Sequence, residues 1–352
     1  MTMPVTRMRA AILVEQHRPL VVDEVELPSR LEVGQVLVRV MVSGICGSQV
    51  GEIDGVKGPD RYLPHLLGHE ASATVLEIGA GVKRVHPGDL AVLHWRKGPG
   101  IEAEPPVYRW RGAALNAGWL TTLNEYAVVS ENRLTPVPAD ADSETAALLG
   151  CPVTTGFGIV TRNARVSLGE TVVVVGCGGV GLAVIQAAVL AGASVVVAVD
   201  LHEPKLRLAR QLGATHSVNS RAPDLDASIR EILGASGADV VVENTGRAEL
   251  IRTAYELTAA EGRTVLAGVP RKGEDAAIDT LPLHFGKVLT GSHGGETEPA
   301  RDIPRYLRLV ARGRLDLRPL ITDRTDLSGV NDAIDRLRRG EIVGRCVVRL
   351  HA

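Results

Sequence analysis

Thr171–Asp200, TVVVVGCGGVGLAVIQAAVLAGASVVVAVD, constrains this chain more than any other stretch. Val172 to Val175 form a short β-branched run, as expected of a strand buried on both faces. Gly176-Cys177-Gly178-Gly179-Val180-Gly181 follows and fits G-x-G-x-x-G with one extra glycine. The first glycine allows a tight turn, the second lets the backbone approach a pyrophosphate, and the third lets the next helix pack close to the strand. Val180 to Leu190 reads as that helix, its N-terminal N–H groups aimed at phosphates. Ser194 to Val199 reads as a second buried strand. Asp200 stands at its end, where an acid accepts the hydroxyls of an adenosine ribose. A membrane-spanning helix is the competing reading, because polar residues are sparse here. Four glycines packed into one turn, between two valine runs of strand length, argue against it.

At 352 residues the chain is long for one core, so two domains are expected. A formal charge of −2 gives no electrostatic reason for nucleic acid or an anionic membrane as partner. Four cysteines (Cys46, Cys151, Cys177, Cys346) are too few for a disulfide scaffold. The first residues lack the apolar core of a signal peptide, being broken by Glu15, Gln16 and His17, so a reducing cytoplasm is expected.

The N-terminal region alternates apolar and polar residues in short runs: Ala10–Val14, Leu20–Val25 and Val36–Val42. Pro28, Gly34 and similar breakers separate them, as between strands. Further strand patterns run from Leu66 through Ile78 and over Leu90–His94, with turn signals at Gly79–Val82 and Pro87–Asp89. Residues 95–120 hold all three tryptophans, Trp95, Trp110 and Trp119. Their glycines and prolines predict a long loop without regular structure, either packed on the surface or forming a pocket wall. Ala146–Gly158 reads as an apolar helix. Beyond Asp200, Pro204 and Gly213 bracket a helix. Strands at Val240–Val242, Thr264–Ala267 and Val288–Thr290, alternating with helices near Ser228–Leu233 and Ala248–Leu257, complete a doubly wound parallel sheet. Helices at Ile303–Arg312 and Val330–Arg339 and a strand at Arg345–Leu350 close the chain.

Cys46, His69 and Cys151 fall at three separate element ends. Two thiolates and one imidazole make the ligand set of an open catalytic zinc site. Each also has a plainer reading, since cysteine is often simply buried and His69 could be a satisfied strand-end histidine.

Four motifs stand in order: G-I-C-G-S at 44–48, G-H-E at 68–70, G-C-P-V-T-T-G at 150–156, and the glycine turn. Together they resemble the zinc-dependent alcohol dehydrogenases of the medium-chain dehydrogenase/reductase family, along essentially the whole chain. The resemblance implies an α/β fold, with a Rossmann doubly wound parallel sheet (153–290) inserted in a GroES-like β-rich catalytic domain (1–152 and 291–352). It implies Cys46, His69 and Cys151 as ligands of a catalytic Zn2+. Glu70 would lie behind the metal, and Ser48 would be the hydroxyl beside the substrate oxygen. Thr155 would touch the nicotinamide, Lys205 the same ribose as Asp200, and Trp95 would line the pocket. Gly176, Gly178, Gly179, Val180, Gly181 and Val269 complete the expected cofactor site. C-G-S is closer to the polyol and sugar-alcohol branch, whereas Cys151 in place of Glu is closer to the alcohol dehydrogenase branch.

Three departures qualify the resemblance. Residues 95–112 lack the four cysteines of a structural zinc, so one zinc per chain is expected. Gln49 replaces the usual Asp, and its amide oxygen is expected to accept the ring N–H of His69. Gly51 stands where a relay histidine is frequent. The expected activity is hydride transfer between NAD(H), rather than NADP(H), and a secondary alcohol or ketone. His94, Arg96, Lys97 and Ser292–Glu296 point to a polar pocket, and so to a sugar, cyclitol or other polyol. A homo-oligomer, dimer or tetramer, is expected, with neither nucleic acid nor membrane as partner. A zinc-free quinone or enoyl reductase and a non-enzymatic dinucleotide-binding protein are the alternatives.

Overall fold

The computed structural model describes residues 5–351. The chain divides into two compact units, one formed by the chain up to Cys151 together with the chain from Glu298, the other by Pro152–Thr297.

The first stretch is mostly strand: β1 (Arg7–Leu13), β2 (Val21–Glu26), β3 (Gln35–Ile45), helix α1 (Gly47–Ile53), β4 (His65–Leu66), β5 (Glu70–Ile78), β6 (Leu90–His94), β7 (Tyr108–Trp110), β8 (Ala113–Leu115), β9 (Tyr126–Ser130), β10 (Leu134–Pro136) and α2 (Ser143–Leu148). The second unit runs α3 (Pro152–Gly158), β11 (Thr171–Val175), α4 (Gly179–Ala191), β12 (Val195–Asp200), α5 (Glu203–Gln211), β13 (His216–Asn219), α6 (Leu225–Leu233), β14 (Ala238–Glu243), α7 (Ala248–Leu257), β15 (Thr258–Leu266) and β16 (Val288–Gly291). The chain then returns to the first unit through α8 (Pro299–Ala311), β17 (Ile321–Asp326), α9 (Val330–Arg338) and β18 (Arg345–Arg349).

In the second unit six parallel strands lie in the order β13-β12-β11-β14-β15-β16. Strand order reverses at β11, and in such sheets ligands bind outside the C-terminal strand ends at that reversal. Both faces of β11 are covered, which is why Val172 to Val175 show no alternation and are all buried. Sheet and helices share the core of Val173, Val197, Val241, Ile229 and Leu257.

The first unit has two sheets, β4-β1-β2-β7-β8 and a seven-stranded one, β10-β6-β5-β3-β18-β17 with β9 also on β3. β18 pairs with β3, so the C-terminal segment is built into the sheet that carries Ile45 and Cys46. Among the described residues no helix is long and apolar enough to cross a membrane.

Three local expectations differ from the structure. Ala146–Gly158 is two helices, because Pro152 has no N–H for a continuous ladder, and the break holds Cys151 between them. Residues 95–120 contain the hairpin β7–β8, turning at Arg111 (φ 51°) and Gly112 (φ 79°). Two positive φ values in a two-residue loop are what a right-twisted hairpin needs. Ahead of the hairpin, the Glu131 carboxylate anchors the segment by accepting the N–H groups of Ile101 (2.7 Å), Lys83 (2.7 Å) and Arg84 (3.0 Å). Finally, residues 291–297 stay with the parallel unit. There Thr297 donates to the Thr154 carbonyl (2.7 Å), and a Cβ on Gly158 would lie 2.2 Å from the Gly295 carbonyl oxygen.

Candidate active site

Cys46 follows β3 and caps α1, His69 follows β4, Glu70 opens β5, and Cys151 precedes α3. One ligand atom from each of the four lies within 4.8 Å of the others. Local sequence makes this possible. Gly68 (φ 101°) has no room for a side chain, since a Cβ there would sit 2.3 Å from Thr122 Oγ1. Gly44 and Gly150 make room for Glu70: a Cβ on the first would lie 2.6 Å from its Cδ, and on the second 2.9 Å from its Cα. The glycines of two motifs thus make room for one buried carboxylate.

A hydrogen bond between the two thiols moves their acidities in opposite directions. The hydrogen bond from Cys151, aided by Arg345 and His69, holds Cys46 well below the ordinary thiol value despite burial. The same hydrogen bond, with burial, pushes Cys151 well above it. His69 is raised: burial opposes its charge, but the Cys46 hydrogen bond and the charges of Cys46, Glu70 and Glu52 outweigh it. A buried thiolate, a thiol that ionises only beside a cation and an imidazole fit a divalent metal, which replaces the proton between the two sulfurs. Zinc is the metal that this soft, three-ligand donor set suits.

Two residues behind the cluster carry roles that motif reading missed or misassigned. Arg345, at the start of β18, is buried. Its Nη1 donates to the Ile45 carbonyl (2.9 Å) and lies 3.4 Å from Glu70 Oε1, and its Nη2 donates to Cys46 Sγ (3.5 Å). Burial pushes Glu70 up to about 7, against the pull of Arg345. Gln49 does not turn its oxygen to His69. Its Oε1 accepts the Cys46 N–H (2.6 Å), while the Gln49 N–H points back to the Cys46 sulfur. This is a capping box, the geometry a glutamine at the third helical position adopts.

The remaining expected residues lie where their elements put them. Ser48 is exposed on α1, and Trp95 follows β6, half-buried, its carbonyl taking a hydrogen bond from Arg133 Nη1 (2.9 Å). His94 does not face a pocket. It is buried, with Nδ1 donating to the Arg96 carbonyl (2.7 Å) and Nε2 accepting from Thr135 (2.9 Å). Lys97 pairs with Glu102 (2.5 Å), and Glu296 accepts the His293 N–H (3.0 Å). The polar run expected to line a pocket is therefore engaged in internal bonds.

Burial also lowers His94 to about 4 from 6.5. A folded value below the unfolded one contributes stability above pH 6.5 and loses it as pH falls through 4. At about 1.4 kcal/mol per unit, the loss is about 3 kcal/mol. Urea unfolding at pH 7.5 and 4.5 should show wild type losing about that much more stability than His94→Gln. Equal losses in the two proteins would contradict this assignment.

In the second unit Gly176 has φ 90°, and a Cβ on Gly181 would lie 1.9 Å from the Gly176 carbonyl oxygen. Gly178 has nothing within 4 Å of the Cβ position, so backbone N–H groups are open to a phosphate at the start of α4. Asp200 is held at the end of β12, Oδ2 accepting the Cys177 N–H (2.8 Å) and Oδ1 the His202 N–H (2.9 Å). Lys205 lies on α5, Thr155 is buried in α3, and Val269 is exposed after β15.

Family comparison agrees with both units. Residues 32–139 match the alcohol dehydrogenase GroES-like domain, and residues 179–312 match the zinc-binding dehydrogenase domain. An S-(hydroxymethyl)glutathione dehydrogenase of Escherichia coli O1:K1 is 30% identical over 97% of this chain and 99% of its own. The chain is a zinc-dependent alcohol dehydrogenase of the medium-chain dehydrogenase/reductase family.

Solved relatives of this alcohol dehydrogenase include the benzyl alcohol dehydrogenase of Acinetobacter calcoaceticus, at TM-score 0.88 and 26% identity over 99% of this chain and 100% of that one. The 2R,3R-butanediol dehydrogenase of Bacillus subtilis matches at TM-score 0.79 and 28% identity, over 98% and 100%. It follows that the chain is an oxidoreductase that uses zinc and a nicotinamide cofactor on alcohols.

Proposed function

We propose that this dehydrogenase interconverts a secondary alcohol of the sugar, cyclitol or polyol class with its ketone, using NAD(H) and one zinc held by Cys46, His69 and Cys151. The observation that carries the reading is the cluster itself, in which ligand atoms of the buried Cys46 and Cys151, of His69 and of Glu70 lie within 4.8 Å of one another. When bound, zinc supplies Lewis acidity at the substrate oxygen, and the nicotinamide supplies or accepts the hydride. The chain's own residues do the rest. Arg345 keeps Cys46 ionised and balances Glu70. Ser48, exposed on α1, takes the hydroxyl proton in oxidation and returns it in reduction. Two of the four cysteines lie in this cluster, while Cys177 is buried in the glycine turn and Cys346 in β18. That distribution supports one zinc per chain. Four free thiols fit a reducing cytoplasm.

Asp200 carries the cofactor preference. Two backbone N–H groups fix its carboxylate at the strand end, where it accepts ribose hydroxyls and repels a 2′-phosphate. Gly176, Gly178, Gly179, Val180 and Gly181 would hold the pyrophosphate, with Lys205, Thr155 and Val269 against the rest of the cofactor.

The substrate class rests on C-G-S at 46–48 and on the likeness to an enzyme named for a vicinal diol. An aromatic alcohol is the second reading, favoured by half-buried Trp95 and exposed Trp119. A panel of polyols, sugars and aromatic alcohols, run with NAD(H) or NADP(H) and with or without chelator, tests both. Expected are metal-dependent turnover on a polyol and a preference for NAD(H) above about tenfold, as like-charge contacts cost several kcal/mol. Asp200→Gly should relax that preference. Faster turnover with NADP(H) in wild type would sink the Asp200 assignment.

The edge strand β16 supports a homo-oligomer. Val288 is 46% exposed, next to Leu281 (62%) and Phe285 (72%), an apolar edge that a second copy would cover.

A further inference from the structure

Two loops leave the C-terminal strand ends on the far side of the reversal at β11, and one buried residue holds both. The near side, β11 and β12 with Asp200, suits the adenosine half of a dinucleotide, which leaves β14 and β15 for the nicotinamide half. Glu243 is the last residue of β14 and is wholly buried. Its Oε1 accepts the Thr245 N–H (2.6 Å) and the Thr245 hydroxyl, and its Oε2 accepts the Gly246 N–H (3.0 Å). Its backbone carbonyl accepts the N–H groups of Ala267 (2.7 Å) and Gly268 (3.0 Å), which follow β15.

The two loops have no slack against each other. A Cβ on Gly268 would lie 2.1 Å from the Gly246 nitrogen, and one on Gly246 (φ 73°) would lie 2.4 Å from the Val269 carbonyl oxygen. Backbone meets backbone, so a shift of the 244–246 turn moves Val269 with it. The turn also reaches the phosphate side, since a Cβ on Gly176 would lie 2.9 Å from Thr245 Cγ2. Thr245 is exposed, so water could serve its donors. A buried carboxylate is a costly substitute for water unless the turn must keep one shape. We infer that Glu243 is a positioning residue for the nicotinamide half of the cofactor, fixing the Thr245–Gly246 turn and through it the Val269 backbone.

This role rests on the dinucleotide reading above, and binding of NADH and of AMP to the full chain separates the two. AMP occupies only the adenosine half, so a fault confined to the 244–246 turn spares it. Glu243→Gln keeps the shape of the side chain but turns an amide N–H toward the N–H of Thr245 or Gly246. NADH should then bind about 10- to 100-fold more weakly, the scale of one or two buried donors left unpaired, with AMP affinity unchanged. Glu243→Asp should recover part of the NADH affinity, because an aspartate readily accepts the backbone N–H two residues on. Thr245→Val keeps the carboxylate and removes one donor, so it should weaken NADH by about 3- to 10-fold and again spare AMP.

Wild-type NADH affinity in a folded Glu243→Gln protein overturns the role of Glu243. So does equal weakening of NADH and AMP, which marks general damage to the sheet. If Glu243→Gln does not fold, Thr245→Val decides, and an unchanged NADH affinity there overturns it as well. In each of these cases the wild type still binds both nucleotides, and the dinucleotide reading stands. A wild type that binds neither would overturn that reading and the role of Glu243 together.

Discussion

Cys151→Ser is expected to give a folded chain that loses most of its zinc and about 10³-fold of its turnover. In the structure the Cys46 hydrogen bond and burial hold Cys151 well above the ordinary thiol value, so it ionises readily only beside a cation. A serine hydroxyl, far more basic, stays protonated there and binds zinc weakly. Cys46 and His69 remain, but two ligands do not hold the metal through dialysis. Elemental analysis should find close to one zinc per chain in wild type and well under one in the variant. Cys346→Ser is the control. That thiol is buried in β18, outside the cluster, so its loss should change neither zinc nor rate. Full zinc and full turnover in Cys151→Ser would show that Cys151 is not a ligand.

The difference between the two cysteines also shows what the sequence can reveal. Thr171–Asp200 was legible because the features that mark it are local. Valine runs, a glycine turn and an acid at the strand end imply one another within thirty residues, and β11, α4 and β12 fall where that pattern puts them. The cluster proposed to hold zinc was legible only through motif resemblance, since Cys46, His69 and Cys151 are far apart in sequence and no periodicity announces their meeting. Arg345 was not legible at all. Its partners Ile45, Cys46 and Glu70 lie some three hundred residues earlier, and an arginine opening a short strand has no distinctive spacing. His94 was misread for a related reason. A polar residue after an apolar run marks a pocket or a satisfied core position equally well, and only the acceptor at Arg96 and the hydroxyl at Thr135 distinguish them. Gln49 was misread: capping geometry takes its oxygen to the Cys46 N–H and not to His69.

Arg345→Met should then be the most destabilising single change at this site. Methionine fills much of the volume of the arginine stem, so the packing loss is small. The electrostatic loss is not. Among the described residues Arg345 and His69 are the counter-charges acting on Glu70, and burial already raises Glu70 to about 7. Removing one partner of a buried pair costs about 3–5 kcal/mol, because the other charge is left uncompensated. Glu70 responds by taking a proton, and Cys46 loses a donor that favours its thiolate, so zinc affinity should fall by about 10- to 100-fold as well. The two effects separate in the double variant Arg345→Met/Glu70→Gln. With no carboxylate to strand, most of the stability should return, while the weakened zinc binding should persist because Cys46 still lacks its donor. Denaturant unfolding of the metal-free proteins and competition with a chelator measure the two quantities independently. If the double variant were no more stable than Arg345→Met, the cost would lie in lost packing, and Arg345 would not be the counter-charge of Glu70.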